Sequence, residues 1–262
     1  DFMTHQFNSF QRADVGIALI ARLKSKRLPL KVLKPFGGTS IIDFLYSRLK
    51  TAEKVKDVFL ATSTLAEDTP LAEVGHQNGH KVYRGHAVSV LGRMLELSLQ
   101  EQWGAVFRVT GDNPFTDPEL IDEMIDLMLA NDLDYVRANN VPFGVSAELF
   151  STKYLWNLYL NMENPMHSEY LTLFILNDEK ARKGCVDIVS DVEDLKYINL
   201  SVDYQQDYDR ALQLSEALES SKLKECNLSD MVAVIDNFKR EDKTKLIKLP
   251  EGEDIPFSEF LG

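Results

Sequence analysis

Apolar positions in this chain alternate between short dense runs and longer stretches at helical spacing. Residues 15–21 form an apolar run of strand length, and after Ser40 the residues Ile41, Ile42, Leu45 and Leu49 recur at the period of a helix. The alternation continues: residues 57–62 predict a strand, 69–78 a short helix and 81–84 another strand. Residues 88–102 predict a helix with Val90, Leu91, Met94, Leu95 and Leu99 on one face. A strand at 105–109 and a loop at 110–117 follow, and Asp117 with Pro118 reads as the N-cap and first turn of the next helix. Residues 134–137 predict a further strand. Strand and helix in turn are the signature of βαβ units, so the expected fold class is α/β, a mostly parallel sheet flanked by helices.

Past residue 139 the rhythm changes. Residues 139–144 (NNVPFG) are a turn-rich break, 146–150 predict a strand, and 152–161 a helix carrying Tyr154, Trp156 and Tyr159. Residues 164–195 hold another helical stretch and a short strand. Residues 197–202 read as a late strand of the sheet, ending at Asp203 and leading into a helix through 218. A last helix spans 228–238, and the charged stretch from 239, with Pro250, Gly252 and Pro256, reads as an extended tail. The expected organisation is one domain over 15–220, a C-terminal helix and tail over 221–262, and a leader or boundary segment over 1–14.

Charge sharpens the picture. The 262 residues hold 29 Lys and Arg against 41 Asp and Glu, a formal net charge of −12, which argues against a nucleic-acid binder. Against that background Arg22, Lys24, Lys26, Arg27 and Lys31 crowd into one short loop with Ser25, directly after the first strand and before the first helix. Ligands of open α/β sheets bind in loops at the carboxyl ends of strands, so a basic loop there points to an anion, above all a phosphate chain. The two cysteines, Cys185 and Cys226, form no metal-binding spacing and fit a reducing compartment. No stretch reaches the roughly 18 apolar residues of a membrane span, and residues 1–14 lack the apolar core of a secretory leader. The expectation is a cytoplasmic protein without a membrane or nucleic-acid partner.

Two acidic residues each follow a predicted strand. Asp112 lies in Val109-Thr110-Gly111-Asp112-Asn113-Pro114, and Asp203 ends Leu200-Ser201-Val202-Asp203. An aspartate in such a place is commonly a turn former or a helix cap. Two of them on one rim of a sheet also suit Mg²⁺, a hard cation that takes oxygen ligands and shares its shell with substrate phosphates. Cations on one side and a carboxylate-held metal on the other form a clamp for a triphosphate, and phosphoryl-type transfer needs no nucleophilic side chain. Motifs for serine or zinc hydrolysis (G-x-S-x-G, H-E-x-x-H) are not found.

The loop Arg22 to Lys31, followed by Val32-Leu33 and Pro35-Phe36-Gly37-Gly38, resembles the N-terminal signature of nucleotide-sugar cytidylyltransferases. The nearest pattern is the spore coat polysaccharide biosynthesis protein F type; acylneuraminate and 3-deoxy-manno-octulosonate cytidylyltransferases are more distant relatives. Ala61-Thr62-Ser63, Tyr83-Arg84-Gly85, Val90-Leu91-Gly92-Arg93, the Arg108–Pro114 stretch, Glu148-Leu149-Phe150, Ser168-Glu169-Tyr170-Leu171-Thr172 and the Asp203 motif match in order, over roughly residues 15–220. The resemblance implies a Rossmann-like nucleotidyltransferase fold that joins CTP to a sugar or sugar acid, releasing pyrophosphate and forming a CMP-sugar. By the same resemblance Arg22, Ser25, Arg27 and Lys31 hold the triphosphate, with Lys31 neutralising the leaving pyrophosphate, and Asp112 and Asp203 ligate Mg²⁺. Thr62, Arg84, Arg93, Thr110 and Gly111 fall around the nucleotide, and Arg108, Glu148 and Glu169 on the acceptor side. Residues 139–195 would be an acceptor-binding and dimerisation lobe of a homodimer.

The chain departs from the family pattern at several points. Lys24 stands at a usually small position, Lys26 where Thr is common and Leu30 where Gly is common. Ser146 replaces an acidic residue two places before Glu148, and Tyr170 replaces a common His. Two other functions stay open at this stage. A nucleotide-sugar glycosyltransferase would use a D-x-D, for which Asp132-Leu133-Asp134 and Asp207-Tyr208-Asp209 are the candidates; both read more simply as caps or solvated carboxylates. The other is a degenerate nucleotide-binding module.

Overall fold

The structure is a computed structural model that describes residues 10–162, 171–218, 222–242, 246–248 and 254–256. Strand β1 (Val15–Ile20) leads through the basic loop and a two-residue hairpin, β2 (Pro35–Phe36) and β3 (Thr39–Ser40), into helix α1 (Ile41–Leu49). Ser40 caps α1 by accepting from the Asp43 amide, which fixes where the helix begins. Then come β4 (Asp57–Ser63), α2 (Thr69–Gln77), β5 (Lys81–Gly85), α3 (Val90–Gln100) and β6 (Ala105–Thr110). Helix α4 (Pro118–Asn131) starts as the sequence predicts, with the Asp117 carboxylate accepting from the Glu119 amide. It is followed by β7 (Tyr135–Asn139), β8 (Glu148–Ser151), α5 (Thr152–Asn161), α6 (Leu171–Asn177), β9 (Lys183–Asp187), α7 (Gln205–Ala217) and α8 (Leu228–Ile235).

Seven strands form one sheet in the order β5-β4-β1-β6-β8-β7-β9. β8 alone runs against its neighbours, pairing antiparallel with β6 and β7, while the remaining pairs are parallel. The mostly parallel α/β architecture therefore stands. β1 shows why it is stable: successive residues point to opposite faces, so Ile17 and Leu19 join Ile42, Leu45, Ile121 and Met124 on one side. Ala18 joins Leu91, Met94, Leu95 and Phe150 on the other. Each fully buried aliphatic side chain of this kind contributes about 1.5–3 kcal/mol, which is why the central strands read as unbroken apolar runs.

Three readings change in the structure. Strands β8 and β9, within residues 139–195, belong to the main sheet, so that segment is partly integral to it. Residues 198–202 are extended but are not a sheet strand: Ile198 and Leu200 exchange backbone hydrogen bonds with Phe143, and the Val202 amide donates to the Asp112 carbonyl. They pair with a loop that has already left the sheet, where Pro142 supplies no N–H and Gly144 adopts φ 93°. The C-terminal segment is also anchored. The buried Arg48 guanidinium donates to the carbonyls of Leu223, Lys224 and Cys226, while β10 (Leu246–Lys248) and β11 (Asp254–Pro256) form an antiparallel ribbon in place of an extended tail.

Candidate active site

The carboxyl edge of the sheet gathers the basic loop, the turn after β6 and the segment ending at Asp203. Lys31 sits in a short 3₁₀ turn, residues 31–33, whose preceding residue Leu30 has φ 53°. Its Nζ donates to Asp112 Oδ2 at 2.7 Å and to Asp203 Oδ1 at 2.8 Å. Arg27 Nη2 reaches the same Asp203 oxygen at 2.7 Å, and its guanidinium lies 5.2 Å over the Tyr204 ring. Burial alone would lower the Lys31 pKa, but the charges and hydrogen bonds of Asp112 and Asp203 outweigh it and push the ammonium up. Two carboxylates from distant segments thus already share one cation. As a hard-oxygen donor set they fit a divalent ion whose remaining ligands come from phosphate and water.

Gly111 is needed here for packing. A Cβ on it would stand 2.9 Å from Ala21 Cβ and 3.1 Å from Ile42 Cδ1, so the turn after β6 lies tight against the start of the basic loop. Thr110, beside it, accepts from Asn113 Nδ2 at 2.7 Å.

A second group of cations is committed to the protein itself. Arg22 Nε donates to Asp68 Oδ2 at 2.9 Å, Nη2 to Glu67 Oε1 at 2.7 Å and Nη1 to the Ala87 carbonyl at 3.1 Å. Asp68 is fully buried and also accepts from the Leu23 amide and the Ser63 hydroxyl. Burial would raise its pKa; Ser63, the Leu23 amide and Arg22 together hold it below the ordinary value. Arg84 braces the turn after β4 through the Ser63 and Leu65 carbonyls and the Thr69 hydroxyl. Arg93 is buried and spends its donors on the carbonyls of His86, Ala87 and Ala61. Thr62 is buried with its hydroxyl unpaired, and the Ser25 hydroxyl accepts from the Leu28 amide.

On the other side of β6 lies a cavity of about 300 Å³. Thr110 and Asn113, which flank Asp112, line its near wall, and Arg108, Tyr135, Arg137, Glu148, Thr172 and Lys196 line the rest. Arg108 Nη2 pairs with Glu148 Oε2, while Glu148 Oε1 accepts from the Tyr135 hydroxyl at 2.6 Å and from Thr172 Oγ1 at 2.7 Å. Burial first, and Glu148 second, push the Tyr135 phenol well up, so it remains a donor. Glu169 lies outside the described residues.

The structure therefore brings Arg27, Lys31, Asp112 and Asp203 together, and separately Arg108 with Glu148. It keeps Arg22, Arg84 and Arg93 in structural bonds. Sequence reasoning missed Asp68, Tyr135 and Arg137. Asp68 directly precedes Thr69-Pro70 and looks like an ordinary helix cap; Tyr135 and Arg137 lie in a strand whose pairing with β8 is not visible in the sequence.

A mostly parallel sheet whose carboxyl edge carries a basic loop, an aspartate pair and a cavity of about 300 Å³ is an arrangement that suits a nucleotidyltransferase of Rossmann-like fold. The comparisons with known proteins narrow this. The cytidylyltransferase family model matches residues 17–222, and the chain belongs to that family. It is 34% identical over 204 residues to the Methanocaldococcus jannaschii protein MJ1063, covering 77% of this chain and 83% of that one. It is 32% identical over 169 residues to the spore coat polysaccharide biosynthesis protein SpsF of Bacillus subtilis, covering 63% of this chain and 70% of that one. Among solved structures, a cytidylyltransferase from Leptospira borgpetersenii superposes with a TM-score of 0.76 at 28% identity, over 85% of this chain and 93% of the other. No helix among the described residues is long and apolar enough to cross a membrane.

Proposed function

We propose that this enzyme transfers the cytidylyl group of CTP to a hydroxyl of a sugar or sugar acid destined for a surface polysaccharide, forming a CMP-sugar. The acceptor oxygen bonds to the α-phosphorus, the bond from that phosphorus to the bridging oxygen of the β-phosphate breaks, and pyrophosphate leaves. The hydroxyl proton passes to solvent. The observation that carries this reading is the meeting of Lys31, Asp112 and Asp203 beside a cavity of monosaccharide size.

Lys31 and Arg27 offer positive charge to the triphosphate, and Lys31 stabilises the charge that grows on the departing pyrophosphate. Ser25 and the backbone of the loop line the same side. Arg22 holds that loop to the turn after β4, with Thr62, Arg84 and Arg93 framing the nucleotide side and Thr110 and Gly111 the floor. Asp112 and Asp203 would hold Mg²⁺, which when bound neutralises phosphate charge and orients the α-phosphate. Arg108, Glu148 and Glu169 belong to the acceptor side. A cytoplasmic location and a homodimer are part of the same reading; the exposed apolar side chains of Tyr159, Leu160 and Phe174 within residues 139–195 support the homodimer.

The test is pyrophosphate release with CTP, Mg²⁺ and a panel of sialic, legionaminic, pseudaminic and octulosonic acids and neutral sugars. Release that depends on an acceptor and on CTP rather than ATP or UTP is the expected result. Binding of UDP- or GDP-sugars without binding of CTP would overturn the reading.

A further inference from the structure

Two tyrosines one turn apart at the head of α7 meet the basic loop. Tyr208, buried, donates from its hydroxyl to the Pro35 carbonyl at 2.6 Å, and Lys34 Nζ stands 4.9 Å from its ring centroid. Tyr204, 48% exposed, has the Arg27 guanidinium over its ring, 5.2 Å from the centroid. The backbone at Tyr204 is fixed without the ring. Its amide donates to Asp207 Oδ2 at 2.8 Å, and its carbonyl accepts from the amides of Asp207 and Tyr208. Asp207 is itself buried, with Arg210 Nη1 3.7 Å from its other oxygen.

The loop is thus held at three points, and they differ in kind. Arg22 fastens its start to Asp68, and Tyr208 fastens its end through Pro35. Between them Arg27, 53% exposed, touches Asp203 Oδ1 at 2.7 Å and the Tyr204 ring. The carboxylate is a contested partner: Lys31 Nζ shares the same oxygen at 2.8 Å, and a divalent ion on Asp203 would compete with both cations for it. The ring is not contested. Attraction to a ring face depends on charge and distance rather than on a directed donor, so the N–H edges of Arg27 stay available to phosphate oxygens. An exposed arginine released from its carboxylate spreads over many rotamers, and ordering it again on a ligand opposes binding. A ring that keeps it in place removes that cost.

We propose that Tyr204 is a positioning residue for the triphosphate, holding Arg27 at the site when Asp203 is given to another cation. The inference rests on the cytidylyltransferase reading above and adds the residue that preorders one of its phosphate-binding cations. Tyr208 does the corresponding work for the end of the loop, through Pro35.

The test is calorimetric titration of the full chain with CTP and Mg²⁺, without acceptor, on single and double variants. Arg27→Met should weaken CTP binding about 10-fold, and Tyr204→Leu about 3- to 10-fold. Tyr204→Phe, which keeps the ring, should stay within about twofold of the unsubstituted protein. The decisive quantity is the double variant: if Tyr204 acts through Arg27, adding Tyr204→Leu to Arg27→Met should weaken binding no further than about twofold. A general loosening of α7 would instead add its full loss in the absence of Arg27. Additive losses, a Tyr204→Phe variant as weak as Tyr204→Leu, or full affinity in either Tyr204→Leu or Arg27→Met would each overturn the proposal. Failure of the unsubstituted chain to bind CTP would strike the cytidylyltransferase reading, and this inference with it.

Discussion

Clusters of two aspartates and two cations sit at both ends of the sheet, and they are built differently. At the amino end, Arg12 and Arg182 close on Asp132 and Asp134. Arg182 donates to Asp134 from Nε, Nη2 and its own backbone amide, at 2.9–3.0 Å. Asp132 is 63% exposed and ends α4 in a left-handed conformation. At the carboxyl end, one ammonium that is 14% exposed is divided between two carboxylates from separate loops, next to a cavity. The first cluster is a saturated clamp that fastens the starts of β7 and β9. In the second, Lys31 is shared by both carboxylates and Asp203 is shared by Lys31 and Arg27. Position on the sheet, more than residue type, separates the two, because loops at the carboxyl edge are where ligands of this architecture enter.

The largest expected effect comes from setting the two clusters against each other. Asp112→Ala should lower kcat for CTP-dependent pyrophosphate release by about three orders of magnitude or more, with the far-ultraviolet circular dichroism unchanged. Asp132→Ala should leave kcat within about twofold, since exposed ion pairs contribute little. Equal losses in the two variants would erase the distinction. In the second D-x-D candidate, Asp207 is buried and accepts from the Asp203 and Tyr204 amides at the start of α7, as a helix-capping carboxylate does.

Lys31→Met sharpens the contrast in a direction that activity alone would not show. Turnover should fall about 10²-fold through loss of charge at the pyrophosphate. Affinity for Mn²⁺ without nucleotide should rise about 10-fold, because Asp112 and Asp203 lose the ammonium that competes for their oxygens. Electron paramagnetic resonance of free Mn²⁺ measures the second quantity. An unchanged or weaker Mn²⁺ affinity would separate Lys31 from the metal site proposed for the pair.

The Asp68 latch predicts a smaller, pH-dependent effect. Its folded pKa lies below the ordinary value of about 3.9, so its stabilisation is complete above that value and is lost as the pH falls through the folded one. Between pH 5 and 8 the bond from the Leu23 amide to Asp68 should therefore protect that amide from hydrogen exchange without a pH-dependent step of its own. Protection should fail only as the pH falls through that lowered folded pKa, and Asp68→Asn should remove the acid step.

Much of this was legible in the sequence. The alternation of β1, α1, β4 and α3 appears in the apolar spacing because strands buried on both faces read as unbroken runs and helices buried on one face read at their own period. Asp112 and Asp203 were visible as acids after extended segments, yet the segment before Asp203 lies outside the sheet, since its partner is the Phe143 loop. The direction of β8 was hidden, because four residues, Glu148–Ser151, read alike in either orientation. Arg137 was hidden with it. Its place beside Tyr135 and Glu148 in the cavity lining belongs to the pairing of β7 with β8.

The smallest effect concerns the conformation that presents Lys31. Leu30 holds φ 53° and ψ 28° immediately before the 3₁₀ turn, with 52% of its surface exposed. A non-glycine residue in that region costs about 1–2 kcal/mol, and glycine would relieve the strain while adding roughly 0.5–1 kcal/mol of unfolded-state entropy to be overcome. Leu30 buries little, so no core contact offsets the difference. Leu30→Gly should therefore raise Tm by about 1–3 °C, measured by calorimetry without ligand, and change kcat less than the substitution of Lys31 does. A lower Tm would mean that the leucine side chain contributes packing that outweighs its strain, and that the site end of the basic loop is held by apolar contact as firmly as the amino-end clamp is held by charge.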